Sequence, residues 1–534
     1  MFSKFSDLKY RKAWSAGLIL LVLLAVWVRL RLLSMPLERD EGEYAYSGQL
    51  LLQGIPPYQL AFNIKMPGTY AVYALIMALF GQSAAGIHLG FLFVNMGTLA
   101  LLYFLARRLL DEAGVLVCCA AYVLLSLSSG VLGLQAHATH LVVIHALGGL
   151  LLLLRARESG RGLTMFLSGL LFGLSFLCKQ PGLFFGLFAA AVLARDAWVA
   201  GLGHWRLSVR NLLLFGGGLA APLAATCLIL WRAGTFKRFW FWTVTYARVH
   251  TGLLPAGFVT HRLAQLASGG WERWLFLIGV AGWLWLLVQK GNGERKFFYS
   301  VFLLCSVAAC LIGRYLARHY LIVMLPVAGL LAGLAVPAFA SLLGRTRFPL
   351  FRAIPPLLFL GACGGLIRHN WPVWFEMPPG VACAAIYFDN PFVECQEVGR
   401  FIREHSTPGD RIAVVGSEPE IYFYAQRHSV SGYIYMYDLV EPQPYASAMQ
   451  QEFIHDVEKA RPEFLVLVNV PTSWMTWADA NPALYKWIRS YPAPYYDLIG
   501  VTEIYPTHTE YRWGKETAAE QRKTDTAIFV FKRR

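Results

Sequence analysis

Eleven mostly apolar runs divide the first 370 residues of this chain, at 13–33, 84–106, 113–128, 141–154, 163–178, 183–200, 209–231, 274–288, 297–312, 320–343 and 349–367. A bilayer core of about 30 Å is crossed by about 20 apolar residues in a helix. In lipid every backbone polar group has to be satisfied within the segment, so runs of this kind spell helices. A mainly α polytopic membrane protein is therefore predicted. Composition points the same way: 57% of the residues are hydrophobic and 15% are charged, more apolar surface than one soluble core can hide. The formal charge of +15 is not a nucleic-acid signal, because it divides into +20 before residue 380 and −5 after it.

Loop charge orients the helices, since loops retained in the cytoplasm are rich in Lys and Arg. With the N-terminus (Lys4, Lys9, Arg11, Lys12) inside, eleven crossings put Arg107/Arg108, Arg155/Arg157/Arg161, Arg195/Arg206/Arg210, Lys290/Arg295/Lys296 and Arg345/Arg347/Arg352 on the inner side. The acidic tail then lies outside. The first run is long, lacks a small-x-small cleavage site and runs into Arg29 and Arg31, which predicts a retained helix in place of a cleaved leader. Residues 1–379 are read as the transmembrane domain, with a first outer loop at 36–83. Residues 380–534 are read as a soluble extracytoplasmic α/β domain.

In that tail, helices are expected at 391–405, 419–427, 445–460 and 483–490, and strands at 411–415, 464–470, 497–504 and 527–531. It carries no GxGxxG, P-loop or nucleophile elbow. The nine cysteines form no CxxC or Cys/His metal spacing; most sit in apolar runs as small hydrophobes. Cys383 and Cys395 could pair outside the cytoplasm or remain thiols.

Of the twelve acidic residues in the membrane part, four fall together in Glu38-Arg39-Asp40-Glu41-Gly42-Glu43, just outside the first helix. A solvated loop would explain such a run, but a Tyr-rich amphipathic stretch (Tyr44, Tyr46, Leu50) and a short apolar helix at 66–80, preceded by Lys65, follow it. Two interfacial helices after an acidic loop describe a cleft at the membrane surface. Cations recur at outer helix ends: Lys65, Lys179, Arg314 and Arg318. Snorkelling explains any one of them; as a set they run against the inside-positive trend and suit a phosphate. Lys179 lies in a tight turn between two apolar runs, Leu177-Cys178-Lys179-Gln180-Pro181-Gly182, where an ionisable group is a functional candidate. His137 and His140 begin the fourth helix. A polar lining is the plainer reading for them; ligation of a divalent metal with Asp40 or Glu41 is chemically open, and no metal site is assigned.

Read in order, Arg-Asp-Glu-Gly-Glu-Tyr-Ala-Tyr at 39–46, Lys65-Met66-Pro67-Gly68-Thr69-Tyr70, Phe176-Leu177-Cys178-Lys179-Gln180, and Arg314-Tyr315-x-x-Arg318-His319-Tyr320 before Leu325-Pro326 resemble the GT-C superfamily of lipid-linked-sugar glycosyltransferases. Within it the chain is similar to bacterial protein O-mannosyltransferases and lipid A aminoarabinose transferases. The resemblance implies a polyprenyl-phosphate sugar donor, inverting transfer to an acceptor hydroxyl on protein, lipid or glycan, and a bacterial inner-membrane enzyme with its C-terminal domain periplasmic. By position Asp40 matches the family's catalytic Asp and Lys65 its basic residue near the donor phosphate. Where many members have an acidic residue at the outer start of the fourth helix, this chain has His137-Ala138-Thr139-His140.

The residues suit that chemistry. Glycosyl transfer to a hydroxyl needs a base and stabilisation of the leaving group. A departing phosphate is weakly basic, so cations serve it better than a general acid, unlike the paired carboxylates of a glycosidase. Asp40 is expected as base, Glu41 as its orienting partner, and Lys65, Lys179 and Arg318 as phosphate ligands. Glu43, Tyr44, His137, His140, Gln180, Arg314, His319 and Tyr320 are expected at the acceptor or sugar. A flippase for an anionic lipid would also need outward cations, but it predicts inverted repeats that the sequence does not display. A non-catalytic anchor for the outer domain is a third reading, against which Asp40 and Lys65 speak.

Overall fold

The computed structural model of the chain describes residues 8–253, 256–346, 348–475, 477, 479–514, 517 and 523–534. Lys4 and Arg347 of the expected basic segments lie outside them. Each of the eleven apolar runs coincides with a helix. Seven are long and apolar enough to cross a membrane, among them Ala84–Leu109, Ala138–Ser159, Trp205–Arg232 and Arg318–Leu343. Glu112–Leu127 and Gly162–Cys178 are shorter apolar helices, joined by Glu272–Val288 and Gly293–Leu311. The protein is an integral membrane protein.

The chain divides into two compact units, and the division does not follow the sequence boundary at 379/380. One comprises Met1–Leu32, His88–Cys227 and Leu254–Met377; the other comprises Leu33–Ile87, Leu228–Leu253 and Pro378–Arg534. The first outer loop thus belongs with the C-terminal domain.

In the helical unit, Glu112–Leu127 lies against Leu325–Leu343 through facing glycines. A Cβ on Gly114 would sit 2.5 Å from the carbonyl oxygen of Gly333, and one on Gly333 would strike that of Gly114. Small residues let helix backbones approach where lipid offers no hydrophobic drive. A buried cation fixes a second junction: Arg29 Nη2 donates to Asn95 Oδ1 (3.1 Å) and to the carbonyls of Ser126 (2.9 Å) and Gly133 (3.0 Å). Farther along, Arg31 Nη1 donates to the Val373 carbonyl at 3.1 Å, and Trp374 Nε1 to that of Leu127 at 2.9 Å.

The second unit is built on a six-stranded sheet: β1 Arg411–Val415, β2 His428–Ser429, β3 Phe464–Asn469, β4 Tyr496–Ile504, β5 Thr509–Trp513 and β6 Ala527–Arg533, in the order β2-β1-β3-β6-β4-β5. Strands β2, β1 and β3 run parallel, while β6 pairs antiparallel with β3 and β4, and β5 antiparallel with β4. The helices Phe392–Glu404, Glu420–Ala425, Ala446–Ala460 and Ala483–Ser490 stand where they are expected; β2 and β5 are additional strands. Helix Arg39–Leu52 packs on Glu420–Ala425 through Gly42, where a Cβ would sit 2.5 Å from that of Glu420. Tyr46 stacks on Tyr422 with ring centres 5.1 Å apart and its hydroxyl accepts from Ser429 N at 2.8 Å. The backbone of Phe62 donates to the Gly432 carbonyl at 2.7 Å. All nine cysteines are thiols, Cys383 and Cys395 among the buried ones.

Candidate active site

The acidic run becomes the start of a helix. Glu38 is its N-cap: the Glu38 carboxylate accepts from Glu41 N at 3.0 Å and the Glu41 carboxylate accepts from Glu38 N at 3.0 Å. This reciprocal capping satisfies two orphan donors at the helix end. Glu41 is therefore a capping residue with its side chain turned to the backbone, which differs from the orienting role expected for it. The same cap sets the rotation of the helix, and Asp40 and Glu43, three residues apart, share one face.

Lys65 meets them from the segment before helix Pro67–Phe80. Its backbone is held on both sides: Tyr58 donates its hydroxyl to the Lys65 carbonyl at 2.7 Å, and Lys65 N donates to Asn63 Oδ1 at 3.2 Å. Its Nζ donates to Asp40 Oδ1 at 2.7 Å and to Glu43 Oε2 at 2.5 Å, and lies over the rings of Tyr44 (4.9 Å) and Tyr435 (5.5 Å). Glu43 receives three more hydrogen bonds, from Tyr70 (2.6 Å), Asn63 (3.1 Å) and Tyr435 (3.0 Å). The Glu43 side chain is fully buried while that of Asp40 is 21% exposed, so Asp40 is the carboxylate a second molecule can reach.

Burial pushes the Glu43 carboxyl up, opposed by the charge of Lys65. For Lys65 burial acts downward and is outweighed by Asp40 and Glu43, which hold the ammonium well above its ordinary range. Lys65 is thus already engaged by two carboxylates, a different setting from the phosphate contact expected of it. Beside this cluster Arg39 donates through Nε to the Ser417 carbonyl (2.6 Å) and through Nη2 to Glu418 (2.9 Å), between the rings of Phe392 and Tyr437.

In the helical unit, Lys179 is an extended residue at the break between helices Gly162–Cys178 and Leu183–Ala200. Its Nζ lies 3.3 Å from His319 Nε2 and 4.3 Å from the centre of the Tyr320 ring. His137 stacks on His319 with centroids 4.1 Å apart. These four expected residues form one polar cluster. His140 is turned instead toward Phe91, edge to face at 6.3 Å. Gln180 is half-buried and follows Lys179; Arg314 has a positive φ of 57°, in the irregular stretch that ends at Arg318. Arg318 is exposed and lines a cavity of about 630 Å³ whose walls are mostly apolar, with Leu277, Val280, Leu321 and Leu331 among them and Arg273 beside them.

Tyr70, Asn63 and Tyr435 contact the buried carboxylate without having been singled out. Tyr70 ends the Lys-Met-Pro-Gly-Thr-Tyr motif and could have been found there; nothing in the sequence around Tyr435 marks it.

Residues 65–231 match the family described as dolichyl-phosphate-mannose-protein mannosyltransferase. No curated protein sequence matches the chain. Among solved structures it is similar to ArnT from Cupriavidus metallidurans bound to undecaprenyl phosphate (TM-score 0.61, 14% identity, covering 97% of this chain and 98% of that one) and to the apo state of the same protein (0.58, 13%, 98% and 98%). It is also similar to the oligosaccharyltransferase AglB from Archaeoglobus fulgidus in complex with an inhibitory peptide and a dolichol-phosphate (0.56, 14%, 95% and 75%). At 14% identity these likenesses show a shared fold: the chain is folded like ArnT and AglB.

Proposed function

We propose that this protein is a membrane glycosyltransferase that moves a sugar from a polyprenyl-phosphate donor to an acceptor hydroxyl, with inversion. The observation that carries the reading is the pairing of one accessible carboxylate, Asp40, with Lys65 beside a fully buried second carboxylate. The solved relatives' lipid ligands, undecaprenyl phosphate and dolichol-phosphate, support the donor class.

Asp40 acts as general base: it takes the proton of the acceptor hydroxyl as that oxygen attacks the anomeric carbon from the face opposite the phosphate. The bond from the anomeric carbon to the phosphate oxygen breaks, and polyprenyl phosphate leaves with the electron pair. Lys65 keeps Asp40 ionised, and Glu43, held by three hydroxyl or amide donors, keeps Lys65 in place. Lys179 and Arg318 are the cations assigned to the donor phosphate, and the apolar cavity beside Arg318 suits a prenyl chain. His137, His319 and Tyr320 around Lys179, and Tyr44 beside Lys65, are assigned to sugar and acceptor contacts. The inside-positive charge pattern supports a cytoplasmic N-terminus and, with it, a reaction on the outer face of a bacterial inner membrane.

Mass spectrometry of lipids copurifying with wild type and with Lys179→Ala at matched yield tests the reading. A polyprenyl-phosphate sugar retained by wild type, depleted in the variant, and consumed on adding acceptor extract with release of polyprenyl phosphate is the expected result. Bound phospholipid alone, or a sugar lipid that is moved across vesicles and never consumed, overturns it in favour of a flippase.

A further inference from the structure

Away from the Asp40 cluster, the second unit gathers another set of ionisable groups. Tyr246 and His250 stand four residues apart at the end of the segment 228–253, and Asp438 and Glu441 lie in and just after the short helix Tyr437–Val440. His250 Nδ1 is 2.9 Å from Glu441 Oε2, and the Tyr246 hydroxyl is shared between Asp438 Oδ1 (3.0 Å) and Glu441 Oε2 (3.1 Å). One donor atom each from His250, Asp438 and Glu441 lies within 4.8 Å of the other two. Both carboxylates are buried, Asp438 at 8% and Glu441 at 3% exposure.

Two carboxylates side by side in a low-dielectric setting repel, and a protonated His250, 2.9 Å from Glu441, would offset only one of the two charges. A divalent ion would offset both, drawing one ligand atom from each of three residues that already lie within 4.8 Å of one another. We infer that His250, Asp438 and Glu441 bind one divalent transition-metal ion of the zinc or manganese class. The donor set selects the class: an imidazole nitrogen with two carboxylate oxygens suits zinc or manganese, whereas calcium and magnesium take oxygen alone. Ligand bonds of about 2.0–2.2 Å put donor atoms about 3.3–3.6 Å apart around a tetrahedral ion, so binding would open the 2.9 Å His250–Glu441 hydrogen bond by about half an ångström. Tyr246 would orient the carboxylates from outside the coordination shell, as hydrogen-bonded neighbours of metal ligands do. The ion would tie the 228–253 segment to the loop carrying Tyr435, three residues before Asp438, whose hydroxyl holds Glu43.

The test uses the full chain in detergent, stripped with chelator and then titrated with zinc chloride or manganese chloride. Wild type is expected to take up about one ion per chain by elemental analysis after desalting, with the thermal midpoint rising by several degrees on loading, because a ligand for the native state alone stabilises it. His250→Gln and Asp438→Asn should each lose the bound ion and the shift, while the exposed Glu404→Gln keeps both. A stripped wild type that binds neither ion and melts identically with and without them overturns the inference, as does full retention in both variants. If a variant does not fold, the wild-type uptake and melting shift decide alone. A cluster held by protons instead would show a melting temperature that follows pH and ignores metal, which also overturns it.

Discussion

Arg29 in the helical unit and Lys65 in the other are both cations withdrawn from water, and their partners differ in kind. Arg29 spends its Nη2 donors on neutral acceptors, an asparagine oxygen and two backbone carbonyls; Lys65 spends its ammonium on two carboxylates. Carbonyls cannot titrate, so the Arg29 junction has one state and fixes helix geometry. Carboxylates can, and the Lys65 junction therefore sits where a proton can be taken and returned. Buried charge is held by neutral acceptors in one unit and by titratable groups in the other.

The largest test of that contrast is Asp40→Asn, which removes the accessible base while keeping its shape. Turnover of a polyprenyl-phosphate sugar should fall about 10³-fold, with melting temperature and copurifying donor lipid unchanged; an active, well-folded variant would break the contrast at once. Lys65→Met and Arg29→Met should then separate the two kinds of cation. Lys65→Met leaves Glu43 buried without its ammonium, pushing that carboxyl higher still, and should cost the folded protein about 10²-fold in turnover as well as stability. Arg29→Met strands buried acceptors and should lower stability by about 3 kcal/mol, read by thermal unfolding in detergent, while the folded fraction keeps its activity per molecule.

A smaller effect concerns Glu420, against which Gly42 packs. Burial, with the neighbouring charge of Glu418, pushes its carboxyl up to about 8. A carboxyl raised on folding contributes stability that is complete below its ordinary range and lost as pH rises through the folded value. Glu420→Gln should match wild type near pH 4 and melt several degrees higher at pH 9. A gap that does not widen with pH would contradict this. The smallest effect expected is from Tyr435→Phe, which deletes one of the hydroxyl donors to Glu43: about 1 kcal/mol, or roughly a fivefold loss of turnover. A loss as large as that of Lys65→Met would mean that the outer domain does more than steady Glu43.

The helices were legible in the sequence because lipid forces an apolar run and a helix to coincide, and all eleven runs did so. Strands with strong β-branched runs, such as Arg411–Val415 and Phe464–Asn469, were equally plain. Strand β5, with the sequence Thr-Glu-Tyr-Arg-Trp, has charges within it and draws its pairing from β4, so local pattern could not reveal it. At the site, Asp40 and Lys65 were visible as residue types, whereas their mutual ion pair spans 25 positions and depends on tertiary folding. For Glu41 and Glu43 a local rule exists: Glu38-x-x-Glu41 is a capping pattern, and helical spacing puts Glu43, rather than Glu41, on the face of Asp40.

Glu43 and Tyr435 are 392 positions apart yet hydrogen-bonded. A ribosome adding about 5–20 residues per second needs about 20–80 s between them. For that interval a nascent chain already carries Asp40, Glu43 and Lys65 and lacks the side chain that completes their cage. The last donor to Glu43 thus arrives only when most of the chain has been made, so the buried carboxylate is fully satisfied late in synthesis.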